Sequence, residues 1–187
     1  MADPGPNIRT CTPDDLQRVS RFVESCPPLE RHTGFTYWVT FNFWGDTCFV
    51  ATEGDEIVGY ASGVGAGTSP DLIYIWQVGV AERYRGNGLS RRLISKVAEA
   101  AREKGFRRAN VSIAPDNAAS LSAFRRVAAD LGHELEAAGE VSFRDPEGHS
   151  VEEVLYSFGI CSEERADDEG ADAFGRLDLD RLAERRV

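Results

Sequence analysis

The period of apolar positions changes repeatedly along this chain, and each change marks an element. Residues 8–10 read as a short strand. Thr12-Pro13-Asp14-Asp15 then offers an N-cap hydroxyl, proline at the first helical position and acids in the first turn. Leu16, Val19, Phe22 and Val23 follow at helical spacing until Pro27 and Pro28 stop the helix. Gly34–Trp44 is aromatic-rich and predicts a second, short helix. Two apolar runs, 47–52 and 57–64, flank Glu53-Gly54-Asp55-Glu56, which reads as a hairpin turn.

Leu72–Val80 is the most hydrophobic strand candidate. After it, Leu89, Leu93, Ile94, Val97, Ala98 and Ala101 draw an apolar helical stripe that ends at Gly105. Arg108–Ile113 predicts another strand. Asp116-Asn117 predicts the cap of a further helix carrying Leu121, Phe124, Val127, Ala128 and Leu131. A final strand falls at 153–160. The order is strand, helices, three meandering strands, helix, strand, helix, strand. That mixed α/β order is neither a doubly wound sheet nor a barrel.

Composition narrows the picture. The 187 residues suit one domain, placed at 1–160, with no internal repeat. From residue 161 onward the chain turns polar and charge-dense, predicting an acidic tail, 161–187, with one short helix in LDLDRLAERR. No apolar run reaches the roughly 20 residues of a membrane span, and the N-terminus lacks signal-peptide features, so a cytoplasmic location is expected. The net charge of -10 argues against nucleic acid or an anionic membrane as the main partner. Cys11, Cys26, Cys48 and Cys161 are scattered without metal-ligand spacing, so no metal is expected.

Against that acidic background, residues 76–89 read WQVGVAERYRGNGL. Arg83-Tyr84-Arg85-Gly86-Asn87-Gly88 fits R-x-x-G-x-G between a buried strand and a long helix. Glycines there let free backbone N–H groups approach an anion, the helix dipole adds positive potential, and Arg83 or Arg85 can add charge. The pattern predicts a pyrophosphate site built mostly from backbone. A solvated glycine turn is the plainer alternative. A dinucleotide-binding motif would need different spacing, and a P-loop would need G-K-[ST].

Strand, R-x-x-G-x-G corner and following helix resemble the acetyl-CoA-binding core of the GCN5-related N-acetyltransferases (GNAT). The likeness covers about residues 8–160 by element order. Within that superfamily, CPPLE (26–30), DTCFVA (46–51), WQVGV (76–80), RGNGL (85–89), PDNAAS (115–120) and EVLY (153–156) resemble the L-2,4-diaminobutyrate acetyltransferases of ectoine biosynthesis. The resemblance implies an α+β GNAT fold, with a mostly antiparallel sheet splayed between strands four and five. It also implies acetyl-CoA as co-substrate, acetylation of the γ-amino group by direct attack, and a homodimer.

Residue by residue, the resemblance gives Val78, Gly79 and Val80 backbone contacts to pantetheine, with the Val78 N–H aimed at the thioester oxygen. Arg83, Arg85, Gly86, Asn87, Gly88 and Leu89 would surround the pyrophosphate, and Asn117 and Ser120 would also contact CoA. Glu30 and Glu153 would hold the substrate amines and serve as catalytic carboxylates; Asp46 and Asp71 are weaker candidates. Trp76 would pack on the substrate stem, and Arg31 and His32 would bind its carboxylate.

The departures fall at the amine end. The family's CPPLD is CPPLE here, its asparagine–serine pair is His32-Thr33, and a tyrosine is replaced by Phe35. The tyrosine that many superfamily members use to protonate the leaving thiolate corresponds to Phe124. Another small diamine, an amino acid, a protein N-terminus, or a purely CoA-binding role remain alternatives.

Overall fold

The structure is a computed structural model that describes residues 5–67, 69–144 and 148–161. The expected tail lies outside the described residues, apart from Cys161. Eleven regular helices and strands are described, in the order β1 (Asn7–Thr10), α1 (Leu16–Glu24), α2 (Gly34–Trp44), β2 (Cys48–Glu53), β3 (Glu56–Gly65), β4 (Leu72–Val80), α3 (Leu89–Glu103), β5 (Arg108–Ile113), α4 (Ala118–Asp130), β6 (Glu136–Arg144) and β7 (Ser150–Gly159). They form one seven-stranded sheet ordered β1-β2-β3-β4-β5-β7-β6. Every neighbouring pair is antiparallel except β4 and β5, which run parallel. Parallel neighbours need a crossover, and α3 supplies it. The expected α+β arrangement is the one observed.

The sequence pattern missed β6 altogether. It lies at the sheet edge, hydrogen-bonded only to β7, and every one of its residues is exposed or half-buried. A strand wet on both faces gives no period-2 apolar signal. A register shift between Ala137 and Gly139 weakens the pattern further.

Two cores lie on opposite faces of the sheet. The larger joins the α3 stripe (Leu89, Leu93, Ile94, Val97) to Ile73 and Ile75 of β4, and to Phe124 and Val127 of α4. The smaller packs Val19, Phe22 and Val23 of α1 and Tyr37 and Phe41 of α2 onto Val50 and Tyr60. Only one side of α2 is used: Phe35, Trp38 and Phe43 point outward and are 73%, 45% and 69% exposed. Asp15 locks the N-terminal corner. Its buried carboxylate accepts from both terminal nitrogens of Arg9 (2.6 and 2.7 Å) and from the Thr12 N–H (3.0 Å).

Candidate functional site

The site begins where a ladder ends. β4 and β5 pair only at Leu72–Arg108, Ile73–Ala109 and Tyr74–Asn110, after which the strands part. At the same place, β4 gains one residue against β3: Ser62 faces Gln77 and Gly63 faces Ile75, leaving Trp76 as the bulged residue. The bulge therefore sits at Trp76 and not at Gly79. The bond from the Ala81 N–H to the Val58 carbonyl sets the alternation of the β3–β4 ladder. Gly79 and Gln77 exchange bonds with β3, so the backbone groups of Val78 and the N–H of Val80 turn toward the gap beside β5, while the Val80 carbonyl accepts from Arg85 and from the Cys26 thiol. An extended chain entering the fork would meet these groups as a strand edge.

Gly79 also has a packing task. A Cβ there would stand 2.4 Å from Leu29 Cδ1 and 3.3 Å from Cys26 Sγ. The missing side chain lets the loop after α1 close over β4. That loop carries the CPPLE segment, and the Gln77 side-chain amide holds it by donating to the Glu30 carbonyl at 2.8 Å. Glu30 is thus anchored by its backbone while its side chain stays exposed. His32 follows, just before Thr33, whose hydroxyl caps α2 by accepting from the Thr36 N–H. The His32 ring lies 4.6 Å from that of Trp76, and burial lowers its pKa from the usual 6.5 against the opposing pull of Glu30. Arg31 turns away and pairs with Glu24 at 3.0 Å.

At the fork's mouth, Gly86 and Gly88 both have positive φ (78° and 75°), and a Cβ on either would meet nothing within 4 Å. Gly88 is the N-cap of α3 and offers no side chain, so the first-turn N–H groups face open space. Leu89 contributes backbone alone, because its side chain is buried in the larger core. Asn87 is exposed beside them.

Both arginines of the corner have partners within the protein. Arg83 pairs with Glu56 at 2.6 Å and lies over the Tyr84 ring. Arg85 folds back to donate to the carbonyls of Val80 (3.2 Å) and Pro27 (3.4 Å). Arg83 lies in the short Glu82–Tyr84 turn, and Arg85 caps it. Cations nearer the start of α3 went unnoticed in the sequence. Arg91 and Arg92 line a cleft of 1050 Å³ along the helix, together with Asn87, Gly88 and Lys96. They read as solvated helix residues until the fold sets the cleft beside them.

Asn117 caps α4 by accepting from the Ser120 N–H at 3.0 Å, so this pair has a visible structural job. Phe124 is buried edge-on against Phe158 and brings no hydroxyl. Asp46 is engaged by Lys104 at 2.6 Å, and the Asp71 carbonyl ties down the start of β5.

Glu153 lies half-buried on β7, beyond the last paired residues of the fork. It accepts from the Ser112 hydroxyl, and Ser112 Oγ is also 2.6 Å from Tyr74 Oη. Among the described residues, Glu153 has no cationic partner. A half-buried carboxylate satisfied by neutral hydroxyls leaves its charge for a cationic ligand to balance.

A forked sheet with an exposed strand edge and a glycine-led helix at its mouth defines an acyltransferase scaffold. Residues 16–128 match the acetyltransferase (GNAT) family, and the chain belongs to that family. A protein of Halomonas elongata named L-2,4-diaminobutyric acid acetyltransferase is 40% identical over 122 residues, covering 65% of this chain and 64% of the relative. The match thus spans slightly less than two thirds of that relative's length. A protein of the same name from Streptomyces coelicolor is 34% identical over 152 residues, covering 79% and 86%. Among solved structures, diaminobutyrate acetyltransferase EctA of Paenibacillus lautus, in complex with L-2,4-diaminobutyric acid and coenzyme A, shares the fold. Its TM-score is 0.74 at 24% identity, with coverage of 83% of this chain and 96% of that one.

Proposed function

We propose that this chain is an acetyl-CoA-dependent N-acetyltransferase that acetylates the γ-amino group of L-2,4-diaminobutyrate, the acetylation step of ectoine biosynthesis. The observation that carries the reading is the match at 34% identity over 152 residues, across 86% of the Streptomyces coelicolor diaminobutyric acid acetyltransferase. The cleft chemistry supports it, with hydrogen-bonding backbone on the donor side and an uncompensated carboxylate on the acceptor side.

Acetyl-CoA supplies an acetyl group on a thiolate leaving group. The backbone of Val78 and the N–H of Val80 offer the strand edge that pairs with the pantetheine amides. The Val78 N–H donates toward the thioester oxygen, where negative charge develops. Open backbone at Gly86, Asn87, Gly88 and Leu89 receives the pyrophosphate. Asn117 and Ser120 complete the CoA contacts from the α4 cap, while Arg83 and Arg85 support the corner from outside. On the acceptor side, Glu30 and His32 gather the amino-acid head, and Trp76 packs on its methylenes.

An alkylammonium titrates near the lysine value of about 10.4, so the attacking nitrogen must lose a proton first. Glu153 accepts that proton. The nitrogen lone pair then forms the C–N bond, the C–S bond breaks with its electrons leaving on sulfur, and the nitrogen passes its second proton to the departing thiolate or to water, leaving a neutral amide. With phenylalanine at 124, the thiolate departs without a tyrosine donor; its pKa, not far above the free-cysteine value of about 8.5, permits this.

We assign residues 1–160 to one catalytic domain of a cytoplasmic homodimer. The outward aromatics of α2 support self-association, because solvent-facing apolar patches of this kind usually mark a contact surface.

The test is thiol release from acetyl-CoA with a panel of amines. Diaminobutyrate is expected to give the highest kcat/KM, ahead of ornithine, lysine, simple diamines and N-terminal peptides. Thiol release at background level with diaminobutyrate overturns the proposal.

A further inference from the structure

Past Tyr74 the backbone ladder between β4 and β5 ends, and side chains provide a further link between the strands. Tyr74 Oη lies 2.6 Å from Ser112 Oγ, and Ser112 donates in turn to Glu153 Oε2. A serine hydroxyl carries one proton. Because Ser112 gives that proton to the carboxylate, the phenol must donate the bond between Tyr74 and Ser112. The three groups form a chain of fixed direction, from phenol to hydroxyl to carboxylate, across β4, β5 and β7. Bonds aligned in this sense polarise and strengthen one another, and strengthen further where water is scarce. The chain occupies Oε2 of Glu153 and leaves Oε1 as the oxygen for a cationic ligand.

We infer that Tyr74 and Ser112 are positioning residues that fix the Glu153 carboxylate at the base of the fork. This rests on the reading of Glu153 as the group that receives the acceptor ammonium. A glutamate has three rotatable side-chain bonds, and without the chain its oxygens sample many positions beside a half-open cleft. With the chain, the carboxylate is held on the strand that flanks the fork, in the orientation needed to take a proton from the amine. Tyr74 belongs to the same strand as Val78, so the group that orients the acceptor's base and the group that polarises the thioester share one rigid element.

The test uses the full-length protein and four variants: Tyr74→Phe, Ser112→Ala, Ser112→Thr and Glu153→Gln. Tyr74→Phe removes the phenolic hydroxyl and changes little else; it and Ser112→Ala are expected to lower kcat/KM for diaminobutyrate about tenfold, the scale of a lost hydrogen bond in a charge-assisted chain. The KM for acetyl-CoA should stay within about twofold, because the donor edge is untouched. Ser112→Thr, which keeps the hydroxyl, should recover most of the rate, whereas a loss of packing alone would not be rescued this way. In a Glu153→Gln background, Tyr74→Phe should cost nothing further, because its effect acts through that carboxylate.

Full activity in Tyr74→Phe and Ser112→Ala alongside a crippled Glu153→Gln overturns the positioning role and leaves Glu153 in place. Full activity in Glu153→Gln removes the reading of Glu153, and the positioning role with it. Should Ser112→Ala fail to fold, Tyr74→Phe and Ser112→Thr decide the matter.

Discussion

The imidazole of His32 lies against the indole of Trp76, with ring centroids 4.6 Å apart and planes inclined by 30°. One ring belongs to the loop that closes over β4 and the other to the bulge that opens the fork. Burial lowers the His32 pKa from 6.5, with Glu30 opposing, so the ring is neutral at pH 7. For a base whose folded pKa is depressed, the contribution to stability is present above the unfolded value and lost as pH falls through the folded value. Acceptor-side kcat/KM should therefore fall below about pH 6.5 as the ring takes a proton and leaves its apolar contact. In His32→Asn that step should vanish from the pH profile. Identical profiles in the two proteins would exclude the assignment.

Gly79 makes a sterically sharper prediction. In Gly79→Ala the new methyl would lie 2.4 Å from Leu29 Cδ1 and 3.4 Å from Phe22, so the loop or β4 must move. Overpacking of this kind costs about 1–3 kcal/mol. Chemical denaturation should show that loss, and acetyl-CoA turnover should drop with it because Val78 is the adjacent residue. Wild-type stability would mean that the loop is not closed over β4 as described.

Gly88 separates ligand binding from folding. Its φ of 75° costs an alanine about 1 kcal/mol, yet a Cβ there meets nothing within 4 Å. Gly88→Ala should thus lose only about 1 kcal/mol of stability, while CoA affinity measured by calorimetry falls tenfold or more. Equal losses in both would point to a turn glycine with no ligand.

The glycine corner, β4 and α3 were legible because each carries a local signal: positive-φ residues, an unbroken apolar run and a stripe at helical period. The Tyr74–Ser112–Glu153 chain was not. Its members are 38 and 41 residues apart, and each alone reads as an ordinary strand residue. Only the register of β4, β5 and β7 brings them together. Arg83 and Arg85 show what the sequence leaves out: their closeness to the glycines suggests an anion site, and the fold adds protein partners, Glu56 for Arg83 and the Val80 and Pro27 carbonyls for Arg85. β6 was invisible because a wet edge strand has no face to bury.

Asp15 gives the acid limit of the fold. Its bonds to Arg9 hold the carboxyl at about 2, below the usual 3.8, so the stabilisation is complete above about pH 4 and is lost as pH falls toward 2. The shift corresponds to about 2 kcal/mol. Asp15→Asn should lose stability of that order at pH 7 and show a shallower acid transition by circular dichroism. An unchanged acid transition would assign the corner's stability to packing alone.

The most direct test of the central claim is the product itself. With acetyl-CoA labelled in the acetyl carbonyl with carbon-13 and an equimolar amount of L-2,4-diaminobutyrate, the proposed activity predicts one new amide. Its labelled carbonyl should couple by NMR to the γ-methylene protons, through the γ-nitrogen. A label on the α-nitrogen, or label that stays on CoA while the protein demonstrably binds it, would contradict the proposal.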